Sequence, residues 1–330
     1  MHLRHLPLAL LCALMSLWAA AALWIDGPSA TLAGALLVAF WLSLAAFLLL
    51  RVQPRRRGLG LFALAFLAVG VWWANIPPSN ERLWLADVAH PPEAQLVGDT
   101  LTVRNVRNFH YRSETDFDEN WETRSWDLSK LRGVDFVLSY WGSPWIAHTI
   151  VSWVFEDGPP LSISIETRKE EGEEYSAVLG FFRQFELYYV VADERDLLGL
   201  RTHHRGEEVY MYHLSMPPEV ARALLLDYVD GFNALAEEPA WYNALTQNCT
   251  TTIRLHLKHL GRGNFFDWRL LANGRVDEMG YERGAIDTSL PFLELRAASR
   301  VDRKVAGTPL DSEYSARVRE GLPGRYGGGQ

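Results

Sequence analysis

Ala147-His148-Thr149-Ile150-Val151-Ser152-Trp153-Val154-Phe155 runs into Glu156-Asp157-Gly158-Pro159-Pro160 and then into Leu161-Ser162-Ile163-Ser164-Ile165-Glu166-Thr167. Both outer runs alternate with period two, and the Asp-Gly-Pro-Pro stretch between them is turn chemistry, so the segment predicts an antiparallel hairpin. His148, Ile150, Ser152 and Val154 then share one parity. A turn centred near Gly158 places Glu166 or Arg168 across from His148 on that face. A carboxylate can accept from an imidazole N–H, which favours Glu166, although a slip of two residues would exchange the pair.

Working outward, Gly133–Tyr140, Phe185–Ala192 and Glu208–Leu214 read as further strands. Pro217-Pro218-Glu219 starts a helix that runs to about Leu235, with proline tolerated in its first turn. Thr246–Asn248 caps a second helix that carries Thr250–Leu260 and stops at Gly261. The expected fold class is α+β: a mainly antiparallel sheet with helices packed on it. The expected divisions are a membrane domain over 1–75, a juxtamembrane connector over 76–100, the α+β domain over 101–300 and a tail over 301–330. The glycine-rich end, Gly321 to Gln330, is expected to be disordered.

Three apolar runs, Leu6–Ile25, Ala30–Leu50 and Leu59–Ala74, fill the N-terminal quarter. Each approaches the roughly 20 residues of a membrane-spanning helix. Arg51-Val52-Gln53-Pro54-Arg55-Arg56-Arg57 separates the second from the third, and short positive loops stay in the cytoplasm. The N-terminus is then inside, and everything beyond about residue 75 is outside the inner membrane, which in a Gram-negative bacterium is the periplasm. A cleaved leader ending near Ala19–Ala22 is the competing reading of the first run.

The 330 residues carry 32 Lys and Arg against 40 Asp and Glu, a net charge of −8. With no basic stripe, a nucleic-acid partner is not expected. No internal repeat, phosphate-binding glycine loop or CxxC pair is present.

There are two cysteines. Cys12 lies in the first apolar run, which leaves Cys249 as a lone thiol in an exported domain, without a disulfide partner there. The sequence places Cys249 at a helix start, where unpaired N–H groups and the helix dipole stabilise a thiolate. His148 is the candidate base and Glu166 the group that would hold its tautomer. Backbone N–H groups at the start of that helix, with Asn248 and Thr250 beside the thiol, are the candidate oxyanion and substrate contacts. The competing reading is a buried structural cysteine and a hydrogen-bonded strand histidine. His256 and His259 could present two metal ligands from one helix, but Cys249 is about two turns, roughly 10 Å, away and cannot join them. No metal and no cofactor are expected.

Val106-Arg107-Asn108-Phe109-His110-Tyr111-Arg112, Trp141-Gly142 through Ile146-Ala147-His148-Thr149, Ser164-Ile165-Glu166-Thr167-Arg168-Lys169-Glu170, Ala192-Asp193-Glu194-Arg195-Asp196, Leu200-Arg201-Thr202 and Tyr242-Asn243-Ala244-Leu245-Thr246-Gln247-Asn248-Cys249-Thr250-Thr251 together resemble the family of the Lnb N-terminal periplasmic domain, from about Asn80 to Ala298. The resemblance implies a thiol fold like the circularly permuted relatives of papain, with Cys249 as nucleophile, His148 as base and Glu166 as a third member. It also implies acyl transfer, since the family's named member is implicated in N-acylation of bacterial lipoproteins. The expected partners are therefore membrane lipid and a lipoprotein. A periplasmic cysteine hydrolase (peptidase, amidase or lipid hydrolase) and a non-catalytic membrane-anchored binding module are the alternatives. The sequence leaves acyl donor, acceptor and oligomeric state open.

Overall fold

The computed structural model describes residues 6–28, 31–262 and 267–326. The chain divides into two compact units, Met1–Ser79 with Glu174–Glu186, and Asn80–Glu173 with Leu187–Gln330.

In the first unit, α1 (Leu6–Ile25), α2 (Thr31–Leu50) and α3 (Arg55–Ala74) are each long and apolar enough to cross a membrane. They pack through Trp18, which meets Phe66 and Trp73 edge-on, and through Trp41, whose Nε1 donates to the Ser16 carbonyl at 2.9 Å. The third helix starts at Arg55 and not at Leu59, so Arg55, Arg56 and Arg57 form its first turn and not a loop. Pro54 just before it has the fixed φ that suits a helix entry. At the other end, Asp26 accepts from Trp73 Nε1 at 2.7 Å, from the Arg183 backbone at 3.1 Å and from Gln184 at 2.8 Å.

The second unit is an α+β domain. Its strands are β1 (Glu93–Val97), β2 (Thr100–Arg107), β3 (His110–Tyr111), β4 (Phe117–Asp118), β5 (Trp121–Asp127), β6 (Leu131–Tyr140), β7 (His148–Phe155), β8 (Leu161–Arg168), β9 (Glu186–Asp193) and β10 (Glu208–His213). The main sheet has eight strands in the order β1-β2-β9-β8-β7-β6-β10, with β5 paired to β2, while β3 and β4 form a separate hairpin. The β6–β7–β8 meander is antiparallel, whereas β2 and β9 meet in parallel at Arg107 and Ala192. The sheet is thus mixed, mainly antiparallel in its central meander. The β7–β8 register pairs Ile150 with Ser164 and Trp153 with Leu161. Continued by two residues it sets His148 across from Glu166, the favoured pairing.

The helices are α4 (Glu194–Gly199), α5 (Pro218–Glu237), α6 (Cys249–His259), α7 (Val276–Glu282), α8 (Phe292–Ala298), α9 (Asp302–Val305) and α10 (Tyr314–Arg319). Period-two alternation gives the sheet two apolar faces: Val137 joins one buried cluster with Ile150, Val190 and Met211, while Leu138 joins another with Ala147, Tyr210 and Tyr212. Helix α5 buries Ala221, Leu224, Leu225, Tyr228 and Phe232 at helical spacing, and Trp153 Nε1 donates to the Ala221 carbonyl at 3.0 Å.

Two expected divisions shift. Residues 301–319 are not a tail: Val301, Val305, Tyr314 and Val318 are fully buried with the strands, and Arg319 pairs with Glu194 and Asp135. Part of the 76–100 connector also belongs to the domain, because Val88 is buried and Glu93–Val97 is a strand of the sheet. At the chain end, 327–330 lie outside the described residues. The aromatic stretch Phe181–Tyr189 divides likewise, with Phe182, Phe185, Tyr188 and Tyr189 buried and Phe181 exposed.

Candidate active site

Helix α6 begins at Cys249 because Asn248 caps it. The Asn248 Oδ1 accepts from the Thr250 and Thr251 amides at 3.0 and 2.9 Å, and the Thr251 hydroxyl accepts from the Asn248 amide in return, closing a capping box. The Asn248 Nδ2 donates to the Ala244 carbonyl at 2.7 Å. This side chain is therefore spent on local structure. Among the described residues, the Cys249 amide is the first-turn N–H of α6 left without a hydrogen-bond partner.

Helix α6 packs on β7 and β8, which brings the buried Cys249 beside the start of the β7 strand, where His148 and Thr149 stand. Burial pushes the thiol up. Hydrogen bonding and charge from His148, with help from the Thr149 hydroxyl and backbone, outweigh this and bring it down to about 7. Thr149 Oγ1 itself is buried and has no hydrogen-bond partner among the described residues.

His148 is set up from the far side of its ring. Its Nε2 lies 2.5 Å from Ser164 Oγ and 3.4 Å from Glu166 Oε1. Ser164 donates its own proton to Glu166 Oε1 at 2.7 Å, so its lone pair is what remains for the ring. The proton on Nε2 is then fixed, and Nδ1 is the nitrogen left to face the thiol. Arg201, buried, donates to the same Glu166 Oε1 at 3.0 Å and is anchored to the Leu197 carbonyl at 2.9 Å. Burial works against the Glu166 charge, but His148 and the Arg201 guanidinium hold its carboxyl well below the usual carboxylate range. Burial likewise works against an imidazolium, yet hydrogen bonding to Cys249 and Glu166 raises His148 to about 9. Both shifts act in the direction that favours a thiolate–imidazolium pair.

Asn273, invisible to the sequence reading, ties the two halves together. Its Oδ1 accepts from the Ala147 amide at 2.9 Å, and its Nδ2 donates at 2.6 Å to both the Ala147 carbonyl and Thr250 Oγ1. One buried amide thereby pins the residue before His148 to the residue after Cys249. The turn carrying it approaches closely because of Gly274: a Cβ there would sit 2.3 Å from the Pro144 carbonyl oxygen and 2.6 Å from the Trp145 carbonyl carbon. Thr250, expected to contact the oxyanion or substrate, is engaged by this clamp. Ser164, Thr149 and Arg201 also escaped the sequence reading as site residues. The parity that groups His148 with Glu166 gives no signal for a helix-end arginine.

The buried charges further off are structural. Arg107 and Asp196 form a fully buried bidentate pair, with Asp196 also accepting from the Phe109 amide at 2.7 Å. Asn105, at φ 60°, sits in the β2 bulge just ahead of Arg107. The Asp193–Asp196 charge cluster is a helix start, with Asp193 capping α4.

Residues 117–274 match the family model of the Lnb N-terminal periplasmic domain. No curated protein and no solved structure matches the chain. With three helices able to cross a membrane ahead of it, the match describes a membrane-anchored protein carrying a periplasmic domain.

Proposed function

We propose that this chain, whose residues 117–274 form an Lnb N-terminal periplasmic domain, is an inner-membrane thiol acyltransferase facing the periplasm, with α1–α3 as a multi-pass anchor. The observation that carries the reading is the ion-pair-competent Cys249 at the start of α6, next to a His148 whose opposite nitrogen is committed to Ser164 and Glu166. An inert buried cysteine has no need of such an arrangement. The chain order, histidine strand before cysteine helix, supports a permuted papain-like architecture for the domain.

The chemistry follows from those groups. The Cys249 thiolate attacks the carbonyl carbon of an acyl ester, and the C=O pair moves to oxygen. The unpartnered Cys249 amide is the donor best placed for that oxyanion, in place of Asn248. Collapse expels the alkoxide, which takes the proton from the His148 imidazolium, leaving an acyl thioester. An amine then adds to the thioester, His148 accepts its proton, and the thiolate leaves as an amide forms. Glu166, held ionised by Arg201, stabilises the imidazolium in both halves. A phospholipid ester as donor suits a domain anchored beside its source, and a lipoprotein N-terminus suits the amine.

The test uses the full-length chain in vesicles containing phospholipid with a tagged acyl chain, supplied with a peptide bearing a free N-terminal amine. Tagged amide that disappears in Cys249→Ala and His148→Ala supports the transferase. Tagged free fatty acid in place of amide makes it a lipid hydrolase, and neither product contradicts acyl-ester chemistry at this thiol.

A further inference from the structure

Two turns along α6 from the nucleophile, two helices bring together three groups that the acyl-transfer chemistry does not use. Asp227 on α5 lies 2.6 Å from His256 Nδ1 through Oδ2, and 3.0 and 3.1 Å from His259 Nδ1 through Oδ2 and Oδ1. The two imidazole nitrogens and a carboxylate oxygen all fall within 4.8 Å of one another. The sequence displays the two histidines at i, i+3 but gives no sign of a third ligand, because Asp227 comes from another helix, 29 residues before His256.

We propose that Asp227, His256 and His259 form a binding site for a divalent transition ion of the Zn2+ class, with His256 and His259 bound through Nδ1 and solvent completing the tetrahedron. Two imidazoles and one carboxylate are a donor set this ion favours over hard oxygen-seeking cations. Bonds of about 2.0–2.2 Å from one centre need ligand atoms about 3.3–3.6 Å apart. The Asp227–His256 contact must open by less than about 1 Å, and the Asp227–His259 contacts by less, a side-chain adjustment.

The surroundings are built for a fixed ligand. His256 is 4 % exposed, and its Nε2 lies 2.7 Å from the buried Tyr189 hydroxyl. When Nε2 donates to Tyr189, Nδ1 presents a lone pair, the tautomer that ligation requires. Tyr228 stacks on the same ring at 4.1 Å between centroids, which sets its plane. Gly231 makes room for both, since a Cβ there would come within 3.1 Å of His256 Cε1 and of the Tyr189 hydroxyl. His259 is half exposed and gives the ion an entry path. The bound ion would staple α5 to the helix that presents Cys249.

The test is titration of the full-length chain in detergent with Co2+, read by its tetrahedral visible bands, and with Zn2+, read by melting temperature. Both are done in a Cys249→Ala background, so that the thiol cannot act as a ligand. One ion bound per chain, with a rise in melting temperature on Zn2+, is expected. His259→Ala should abolish the bands and the thermal shift while leaving the metal-free melting temperature unchanged. Tyr189→Phe should weaken binding about tenfold or more, as loss of a supporting hydrogen bond does. Absence of tetrahedral bands, or bands that persist in His259→Ala, would overturn the assignment.

Discussion

Glu166 Oε1 lies 3.4 Å from His148 Nε2 across the β7–β8 hairpin, with Ser164 bridging them by bonds of 2.5 and 2.7 Å. The carboxylate thus acts on the imidazole both directly and through a hydroxyl. Glu166→Gln removes one of the interactions that raise His148 to about 9, so the imidazolium should lose its proton at lower pH. Titration of the His148 ring by NMR should show a lower midpoint in the variant. An unchanged midpoint would show that Glu166 does not tune the base.

The thiol titrates from the other side. Its value of about 7 rests on His148 overcoming burial, so the rate of Cys249 alkylation should rise through a midpoint near 7 in the wild type. In His148→Ala burial acts without that opposition, and the midpoint should climb towards the ordinary thiol value of 9.0 or beyond it. Acyl transfer should fall by about 10²–10⁴-fold in the same variant, the range for loss of a positioned general base.

The hairpin and its two site residues were legible in sequence because alternation, a turn and a shared parity are local signals. Cys249 at a helix start was legible for the same reason, through the Asn248 cap. What escaped depends on distant packing. Asn273 meets Ala147 across 126 residues, and Arg201 meets Glu166 across 35. Strands β1, β2 and β5 were missed because β1 is exposed along almost its whole length, β5 carries mostly polar side chains, and β2 is broken by a bulge at Asn105. Residues 301–319 read as a tail because their four buried side chains are scattered among charges.

Asn273→Ala deletes the clamp between the histidine strand and the cysteine helix and leaves the buried Ala147 amide unsatisfied. It should cost about 1–3 kcal/mol of stability, the desolvation penalty of such a group, measured by denaturant unfolding. Activity should fall further than that loss explains, because the thiol and imidazole are no longer held in register. Gly274→Ala should act in the same direction, since its Cβ would meet backbone atoms at 2.3 Å.

Asn248 separates capping from oxyanion binding. Asn248→Ala should lower stability by about 0.5–2 kcal/mol through loss of the cap, and Asn248→Ser should recover most of it. The serine variant should also keep most of the activity, because Asn248 Nδ2 is spent on the Ala244 carbonyl. A stable but inactive serine variant would return the oxyanion role to Asn248.

The most direct measurement is the mass of the Cys249 peptide after the full-length chain is incubated with phospholipid vesicles lacking any amine acceptor. A single acyl chain on Cys249, released by hydroxylamine and missing in His148→Ala, is the expected result. A folded protein whose Cys249 alkylates readily but never acquires an acyl chain under these conditions would contradict acyl transfer through this thiol.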